Sequence, residues 1–188
     1  MLDRIRSKIG LYQAKSLDVE FKEAAVLVPL TNEPEPQIIL TRRSDQLKTH
    51  SGQVAFPGGM RDDTDVDLMA TVLRETAEEV GVGASDIEII GELSQVISRY
   101  EIRVTPFVGL INPSAELIPD PIELDSIFKV PVKYFLDVAP DRLDHLGFRG
   151  KSLDVPCWFY EGYEIWGMSA IILVDFFRVA FGRDLSAR

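Results

Sequence analysis

Cysteine and histidine are scarce in this sequence: its 188 residues include one cysteine and two histidines. A single cysteine excludes an internal disulfide and is typical of a reducing compartment, so we expect a cytoplasmic protein. Because no neighbouring feature would activate its thiol, Cys157 is expected to be a small core residue. No apolar run approaches the roughly 18–20 residues that span a bilayer, and the first ten residues lack the apolar core of a signal peptide.

Positive charge is also in short supply. The chain has 20 Lys and Arg against 30 Asp and Glu, a net charge of −10, which argues against nucleic acid or an anionic membrane as the main partner. An anionic substrate would need local positive charge together with a metal ion. The length and the 46% hydrophobic content suit one domain, 1–188, with a sizeable core.

The stretch 56–82, FPGGMRDDTDVDLMATVLRETAEEVGV, predicts a Pro-Gly-Gly turn, an acidic loop and a helix. Thr64 followed by Asp67 resembles a capping box at the helix start, and Gly81 fits the left-handed position after its end. Apolar residues recur with the helical period over about half of the helix surface.

The carboxylates of this helix are placed unfavourably. Glu75 and Glu79 lie one turn apart beside the apolar half, with Glu78 and Arg74 further toward solvent. Such like charges repel by about 0.2–0.5 kcal/mol, and carboxylates in a last turn oppose the helix dipole. A hard divalent cation would reverse both effects. A solvated Glu-rich surface is the alternative, but the turn before the helix and the glycine after it favour a metal site.

The stretch 59–82 resembles a Nudix box, the loop-helix signature of enzymes that cleave a diphosphate linked to another moiety. Its second half, RETAEEVGV at 74–82, matches the signature residue for residue. In the first half the loop is one residue longer than usual, and Asp65 or Asp67 replaces a Glu.

The residues before the box narrow the resemblance. LTRRS at 40–44, Lys48, Gly52 and FPGG at 56–59 are similar to the motif that precedes the box in coenzyme A diphosphatases. That subfamily also has a longer, Asp-containing loop. Lys48 stands where an Arg is usual, which keeps the charge but not the bidentate fork. The similarity continues at 104–109, 127–131 and 165–170.

The resemblance implies an α+β fold, the Nudix α/β/α sandwich with a mixed sheet between helices. It implies metal-dependent hydrolysis of coenzyme A, or of its acyl or oxidised derivatives, to 3′-phosphoadenosine 5′-phosphate and (acyl-)4′-phosphopantetheine. Glu75, Glu79 and Glu78 would hold Mg²⁺ or Mn²⁺, Glu78 is the leading candidate base, and Arg74 would steady the carboxylates.

Substrate-binding candidates lie upstream of the helix. Arg43 and Lys48 would grip phosphate through charge-assisted hydrogen bonds, and Gly58 and Gly59 would let the backbone approach a ligand closely. Arg42 is a further candidate. Ordinary solvated surface is the alternative for the arginines.

Several other residues are further candidates for the site, most of them with an alternative structural interpretation. Asp65 would stand in for the box Glu, and Glu101 is a metal ligand, a base or a solvated turn residue. His50 is a base or a structural hydrogen-bonder, and Glu123 is a distal ligand or a cap. The aromatic residues at 158–160 either stack an adenine or belong to the core.

The remaining pattern predicts a mixture of strands and helices without strict βα alternation, which favours an α+β fold. Strands are expected at 23–31, 37–42, 86–98 and 102–111, the first two as a hairpin, and a second hairpin at 156–166 turning at 161–162. Helices are expected at about 1–16 and about 167–182, with the box loop and helix at about 58–82. A polar connection is expected at 140–155. The first helix docks on the domain or on a second subunit, and the apolar last helix makes a homodimer a candidate assembly.

Two competing functions remain open at this stage. One is a Nudix hydrolase for another dinucleotide, such as NADH or ADP-ribose. The other is a non-catalytic nucleotide sensor, which would predict lost carboxylates, although Glu75, Glu78 and Glu79 are all present. The expected partner is a small coenzyme A-type dinucleotide, with neither nucleic acid nor membrane.

Overall fold

The computed structural model describes residues 1–46, 51–148 and 150–186. The helices are α1 (Leu2–Gly10), α2 (Leu68–Val80), α3 (Val132–Asp137) and α4 (Gly167–Phe181), with a short 3-10 turn at Ala84–Asp86. The strands are β1 (Lys22–Thr31), β2 (Gln37–Arg43), β3 (Val54–Ala55), β4 (Gly58–Met60), β5 (Ile87–Glu92), β6 (Val96–Ile97), β7 (Ile102–Ile111), β8 (Leu124–Pro131), β9 (Arg142–Phe148), β10 (Lys151–Tyr160) and β11 (Tyr163–Ile165). Within these residues no helix is both long enough and apolar enough to cross a bilayer.

A mixed sheet is built around β1. This strand pairs in parallel with β7 along its whole length, from Lys22–Ile102 to Thr31–Ile111, and antiparallel with β2 and β4. β5 and β6 extend the sheet beyond β7, while β3 and β8 pair with β2. The nearly continuous apolar run of β1 is typical of a strand buried on both faces. The predicted hairpin of 23–42 is confirmed.

Helices cover both faces of this sheet. On one face, Val72 of α2 packs with Leu27 and Phe107. On the other, Ile5 of α1 and Phe176 of α4 belong to the larger core. This arrangement confirms the predicted α+β class and its α/β/α layers.

The predicted polar connection at 140–155 is wrong. β9 and β10 instead pair antiparallel, in register from Arg142–Cys157 to Phe148–Lys151. The mostly polar residues of β9 and of the first half of β10 concealed this pairing, because the sequence signal for a strand is apolar alternation. The turn predicted at 161–162 is confirmed: Glu161 and Gly162 have φ of 49° and 88°, as a tight hairpin turn requires.

Two further bounds differ from expectation. The first helix ends at Gly10, not near residue 16, because the following residues hydrogen-bond elsewhere. Leu17 donates its N–H to the Gln95 side chain, and Gln95 donates its N–H to the Lys15 carbonyl. The strand predicted at 86–98 is divided into β5 and β6.

The interior contains the residues expected there. Cys157 is fully buried, and burial raises the pKa of its thiol to about 11. Trp158 is also fully buried and lies edge-on to Phe135. Trp158 is therefore a core residue, whereas Phe159 is half exposed beneath the Arg142 guanidinium.

Candidate active site

The helix α2 carries the site, and its ends are fixed by local contacts. Asp67 caps its start: the carboxylate accepts a hydrogen bond from the Ala70 N–H at 2.7 Å. The predicted cap at Thr64 is wrong, because the Thr64 hydroxyl donates to Asp62 within the preceding loop. Gly81 ends the helix with φ of 77°, as predicted.

Glu79 is buried at the end of this helix, with 4% of its surface exposed. Its Oε2 accepts a hydrogen bond from the Gly58 N–H at 3.0 Å, and its Oε1 accepts one from Arg43 Nη1 at 3.3 Å. Burial raises the pKa of Glu79 to about 7, and these two donors oppose the rise. A carboxylate in such a position favours a nearby cation.

Glu75 lies one turn earlier and faces Gly59. A Cβ on Gly59 would come within 2.5 Å of the Glu75 carboxyl carbon, so a larger residue there would displace this carboxylate. Burial is the main cause that raises the pKa of Glu75. The expectation that Glu75 and Glu79 lie beside the core is confirmed, whereas Glu78 is 60% exposed at its side chain.

Gly58 is constrained by the sheet. Its φ is 145°, and a Cβ there would lie 2.2 Å from the Ala25 carbonyl oxygen of β1. The two glycines thus bring β4 against β1 and against the carboxylates of α2. Their contact with a substrate stays a prediction.

Arg74 joins the loop to the helix. Its Nε and Nη2 donate to the two carboxylate oxygens of Asp65 at 3.1 and 2.9 Å. Its Nη1 donates to Glu75 at 2.8 Å and to Glu78 at 3.1 Å. The expectation that Arg74 lies further toward solvent than Glu78 is wrong: its side chain is 30% exposed against 60% for Glu78, because it pairs with these carboxylates.

Asp65 is the acid that partners Arg74 across the lengthened loop, while Asp67 serves as the helix cap. Asp65 is 8% exposed, and the Arg74 guanidinium holds the pKa of its carboxyl well below the usual range. The choice between the two aspartates depends on loop geometry, which spacing alone did not define.

A divalent cation fits the Glu75–Glu79 pair. Mg²⁺ commonly binds through one or two carboxylates and completes its shell with water and substrate phosphates. In the part of the chain that the structure describes, no three His, Cys, Asp or Glu side chains form a ready cluster. Glu75, Glu79 and Glu78 as metal ligands stay predictions.

The arginines upstream are paired with acids. Arg43 lies between Glu79 and Glu123, whose Oε2 is 3.9 Å from Arg43 Nη2. Arg42 binds both oxygens of Asp45 at 2.8 Å and Asp125 Oδ2 at 2.5 Å. The pairing of Glu123 with Arg43 was not foreseen from sequence, because it depends on the pairing of β2 with β8.

Three candidates contribute less to this picture. Lys48 and His50 lie outside the described residues. Glu101 lies in the turn between β6 and β7 with φ of 59°, and its N–H donates to the Ser98 carbonyl. A catalytic role for Glu101 stays a prediction.

Comparison with known proteins agrees with this geometry. The NUDIX domain family matches residues 21–139. This chain belongs to the Nudix family. It is 39% identical over 175 residues to a Nudix hydrolase NudL of Shigella sonnei, covering 92% of this chain and 91% of the relative. It is 38% identical over 159 residues to a Nudix hydrolase NudL of Photorhabdus laumondii, covering 85% of each.

Solved structures share the Nudix fold. A Nudix hydrolase from M. smegmatis, RenU, superposes with a TM-score of 0.51 at 18% identity, over 62% of this chain and 74% of that one. The NUDIX domain of Shewanella oneidensis NrtR, solved with ADP ribose, gives 0.50 at 21% identity, over 69% and 84%. As a Nudix hydrolase, the protein acts on a pyrophosphate bond of a nucleotide derivative, and Nudix hydrolases generally use divalent metal ions.

Proposed function

We propose that this Nudix hydrolase cleaves the diphosphate of coenzyme A, or of an acyl or oxidised derivative. The products are 3′-phosphoadenosine 5′-phosphate and (acyl-)4′-phosphopantetheine. This proposal rests on one observation: two separate motif features lie together at one site. The lengthened loop supplies Asp65 to Arg74, and the upstream motif supplies Arg43 to Glu79.

The metal site of this reaction comprises Glu75 and Glu79, with Glu78 as a third candidate, and Mg²⁺ or Mn²⁺ suits its carboxylate oxygens. Such an ion would neutralise charge on the diphosphate and make water a better nucleophile. Gly58 and Gly59 keep the space beside the two carboxylates open. A net charge of −10 makes this local positive charge necessary for an anionic substrate.

The protein's own side chains perform the remaining tasks. Arg43, with Lys48, binds substrate phosphate and holds the diphosphate for in-line attack. Glu78 accepts the proton of the attacking water, whose oxygen forms the new bond to one phosphorus as the bridging oxygen leaves with the other phosphate. Its 60% exposed side chain can reach water, and its contact with Arg74 orients it.

Two other functions are retained for testing. Hydrolysis of NADH or ADP-ribose would use the same carboxylates, and the NrtR domain bound to ADP ribose has the same fold. A sensor without turnover would not need these carboxylates, whereas Glu75 and Glu79 are both present beside Gly58 and Gly59.

Product analysis distinguishes these functions. Wild type, Glu79→Gln and Glu88→Gln are incubated with coenzyme A, acetyl-coenzyme A, NADH and ADP-ribose, each with Mg²⁺ or Mn²⁺. Glu88 is the matched control because it is an exposed strand residue that pairs with Arg6. We expect wild type and Glu88→Gln to release 3′-phosphoadenosine 5′-phosphate, and Glu79→Gln to lose on the order of a hundredfold or more in kcat.

Other outcomes overturn specific parts of the proposal. Release of AMP from NADH or ADP-ribose without cleavage of coenzyme A would reject the substrate class and keep the hydrolase. Tight binding of a nucleotide without any product would favour the sensor. Turnover unaffected by a chelator would reject the metal requirement.

We also propose that the chain folds as one domain and forms a homodimer. A single domain over 1–188 predicts one cooperative unfolding transition. A homodimer would use the apolar residues of α4 that are only partly buried within one chain, such as Met168, Ile171 and Val174. Light scattering at several concentrations measures the mass: a value of 21.1 kDa would reject the dimer.

A further inference from the structure

Arg61 follows β4 directly and opens the loop that leads to α2. Its side chain, 38% exposed, makes contacts on two sides. Nη1 donates to Glu23 Oε2 at 2.9 Å, and Nη2 donates to the carbonyls of Asp65 and Val66 at 3.3 Å each. Its backbone N–H donates to the Glu23 carbonyl at 2.9 Å. Arg61 therefore fastens the far end of the loop to the start of β1.

Glu23 is itself a fixed anchor. Its other carboxylate oxygen accepts a hydrogen bond from Arg103 Nη2 at 2.6 Å. Arg103 also donates to the carbonyls of Leu17 and Val19, which ties the segment before β1 to β7. Arg103 and Arg61 lower the pKa of Glu23, so its carboxylate stays ionised and accepts from both.

Arg61 donates to the backbone carbonyl of Asp65, and the carboxylate of the same Asp65 binds Arg74. Arg74 in turn donates to Glu75 and Glu78, the predicted ligand and base. We propose that Arg61 is a positioning residue of the hydrolase site, which acts through Asp65 and Arg74 on the carboxylates of the box helix. The effect on metal rests on the proposed function of Glu75.

The guanidinium is the group that this position requires. Its planar fork presents separate N–H donors to a carboxylate on one side and to carbonyls on the other. A lysine keeps the charge but cannot hold both sides in a fixed geometry. Because outer partners of metal ligands commonly alter metal affinity and activity by roughly 10–100-fold, the loss should be measurable.

The test compares Arg61→Met, Arg61→Lys and Glu23→Gln with Arg6→Met. Arg6 is a matched control, since its side chain is 34% exposed and also pairs across the chain, with Glu88. Four quantities are measured well below the unfolding temperature: Mn²⁺ affinity by electron paramagnetic resonance, kcat and KM on the cleaved diphosphate, and solvent exchange of the Arg74 Nε–H by NMR.

We expect Arg61→Met to weaken Mn²⁺ binding and lower kcat by about tenfold each, with KM little changed. Exchange of the Arg74 Nε–H should become faster, Arg61→Lys should fall in between, and Arg6→Met should match wild type. If Arg61→Met does not fold, Arg61→Lys and Glu23→Gln give the answer.

The proposal is overturned if the variants lose only thermal stability while Mn²⁺ affinity, kcat and Arg74 exchange stay at wild-type values. Failure of the proposed function looks different. If wild type does not cleave coenzyme A, or does not bind Mn²⁺, that function is wrong. Arg74 exchange still decides whether Arg61 positions the site.

Discussion

Arg43 Nη1 lies 3.3 Å from Glu79 Oε1, so the guanidinium forms a hydrogen-bonded ion pair with this buried carboxylate. The arginine therefore occupies one oxygen of a carboxylate that is a candidate metal ligand. Arg43 Nη2 also lies 3.9 Å from Glu123 Oε2, so Arg43 retains an acidic partner if its contact with Glu79 is broken.

We predict that Arg43→Gln strengthens Mn²⁺ binding in the absence of substrate and raises KM. A unit charge about 4 Å away contributes roughly 1 kcal/mol in water, so affinity should rise roughly fivefold. Calorimetric titration with Mn²⁺ measures the first effect and steady-state kinetics the second. Arg42→Gln is the charge-matched control, since Arg42 pairs with Asp45 and Asp125 instead. An equal rise in both variants would show a general charge effect and contradict the specific contact.

Substitution of alanine for each of the two glycines of β4 should have different effects on stability and on Mn²⁺ affinity. Gly59→Ala places its Cβ against the end of the flexible Glu75 side chain, which can move. We expect stability to change by less than about 1 kcal/mol, while Mn²⁺ affinity falls about tenfold. Gly58→Ala collides with the β1 backbone at a positive φ and should lose about 2 kcal/mol or more.

Urea unfolding and Mn²⁺ titration separate these effects. Gly147→Ala is the control, because a Cβ there meets no atom within 4 Å. Wild-type metal binding in Gly59→Ala would mean that Glu75 does not need the space beside Gly59.

The Asp65–Arg74 pair predicts a dependence of stability on pH. Arg74 lowers the pKa of Asp65 in the folded protein, so the unfolded chain binds more protons at this site as the pH falls. The stabilisation is fully present above the unfolded pKa, about 4, and is lost as the pH falls toward the folded value. Asp65→Asn should therefore be less stable than wild type at pH 6, and the difference should shrink below about pH 4.

Urea midpoints measured from pH 6 to pH 3 give this difference directly. Asp63→Asn, an exposed residue of the same loop, serves as the reference. A constant gap between wild type and Asp65→Asn across the range would rule out the ionised pair as its origin.

Local pattern predicted much of the site. The helical period correctly placed Glu75 and Glu79 beside the core, and Gly81 was predicted as the helix end. These features depend on residues within one or two turns, where sequence spacing translates directly into geometry. The direction of Arg74 was wrong because its main partner, Asp65, belongs to the irregular loop.

Contacts between residues distant in the chain could not be predicted from the sequence. The pairing of Arg61 with Glu23 requires β4 to lie on β1, and the contact of Arg43 with Glu123 requires β8 to lie on β2. The pairing of β9 with β10 was missed for a different reason: residues 142–148 and 151–154 are mostly polar, and the apolar end of β10 was predicted only as the start of the next hairpin.

The parallel pairing of β1 with β7 also determines when the site can form. The box loop and α2 lie in the long crossover between these strands, which pair from Lys22–Ile102 onward. Closing so long a loop before its contacts form is entropically unfavourable and slows folding. The packing surface beneath Val72 includes Phe107 of β7, so the helix acquires its full support late. A nascent chain released before β7 would present the complete signature with β1 and β4 beneath the helix but without the contribution of Phe107.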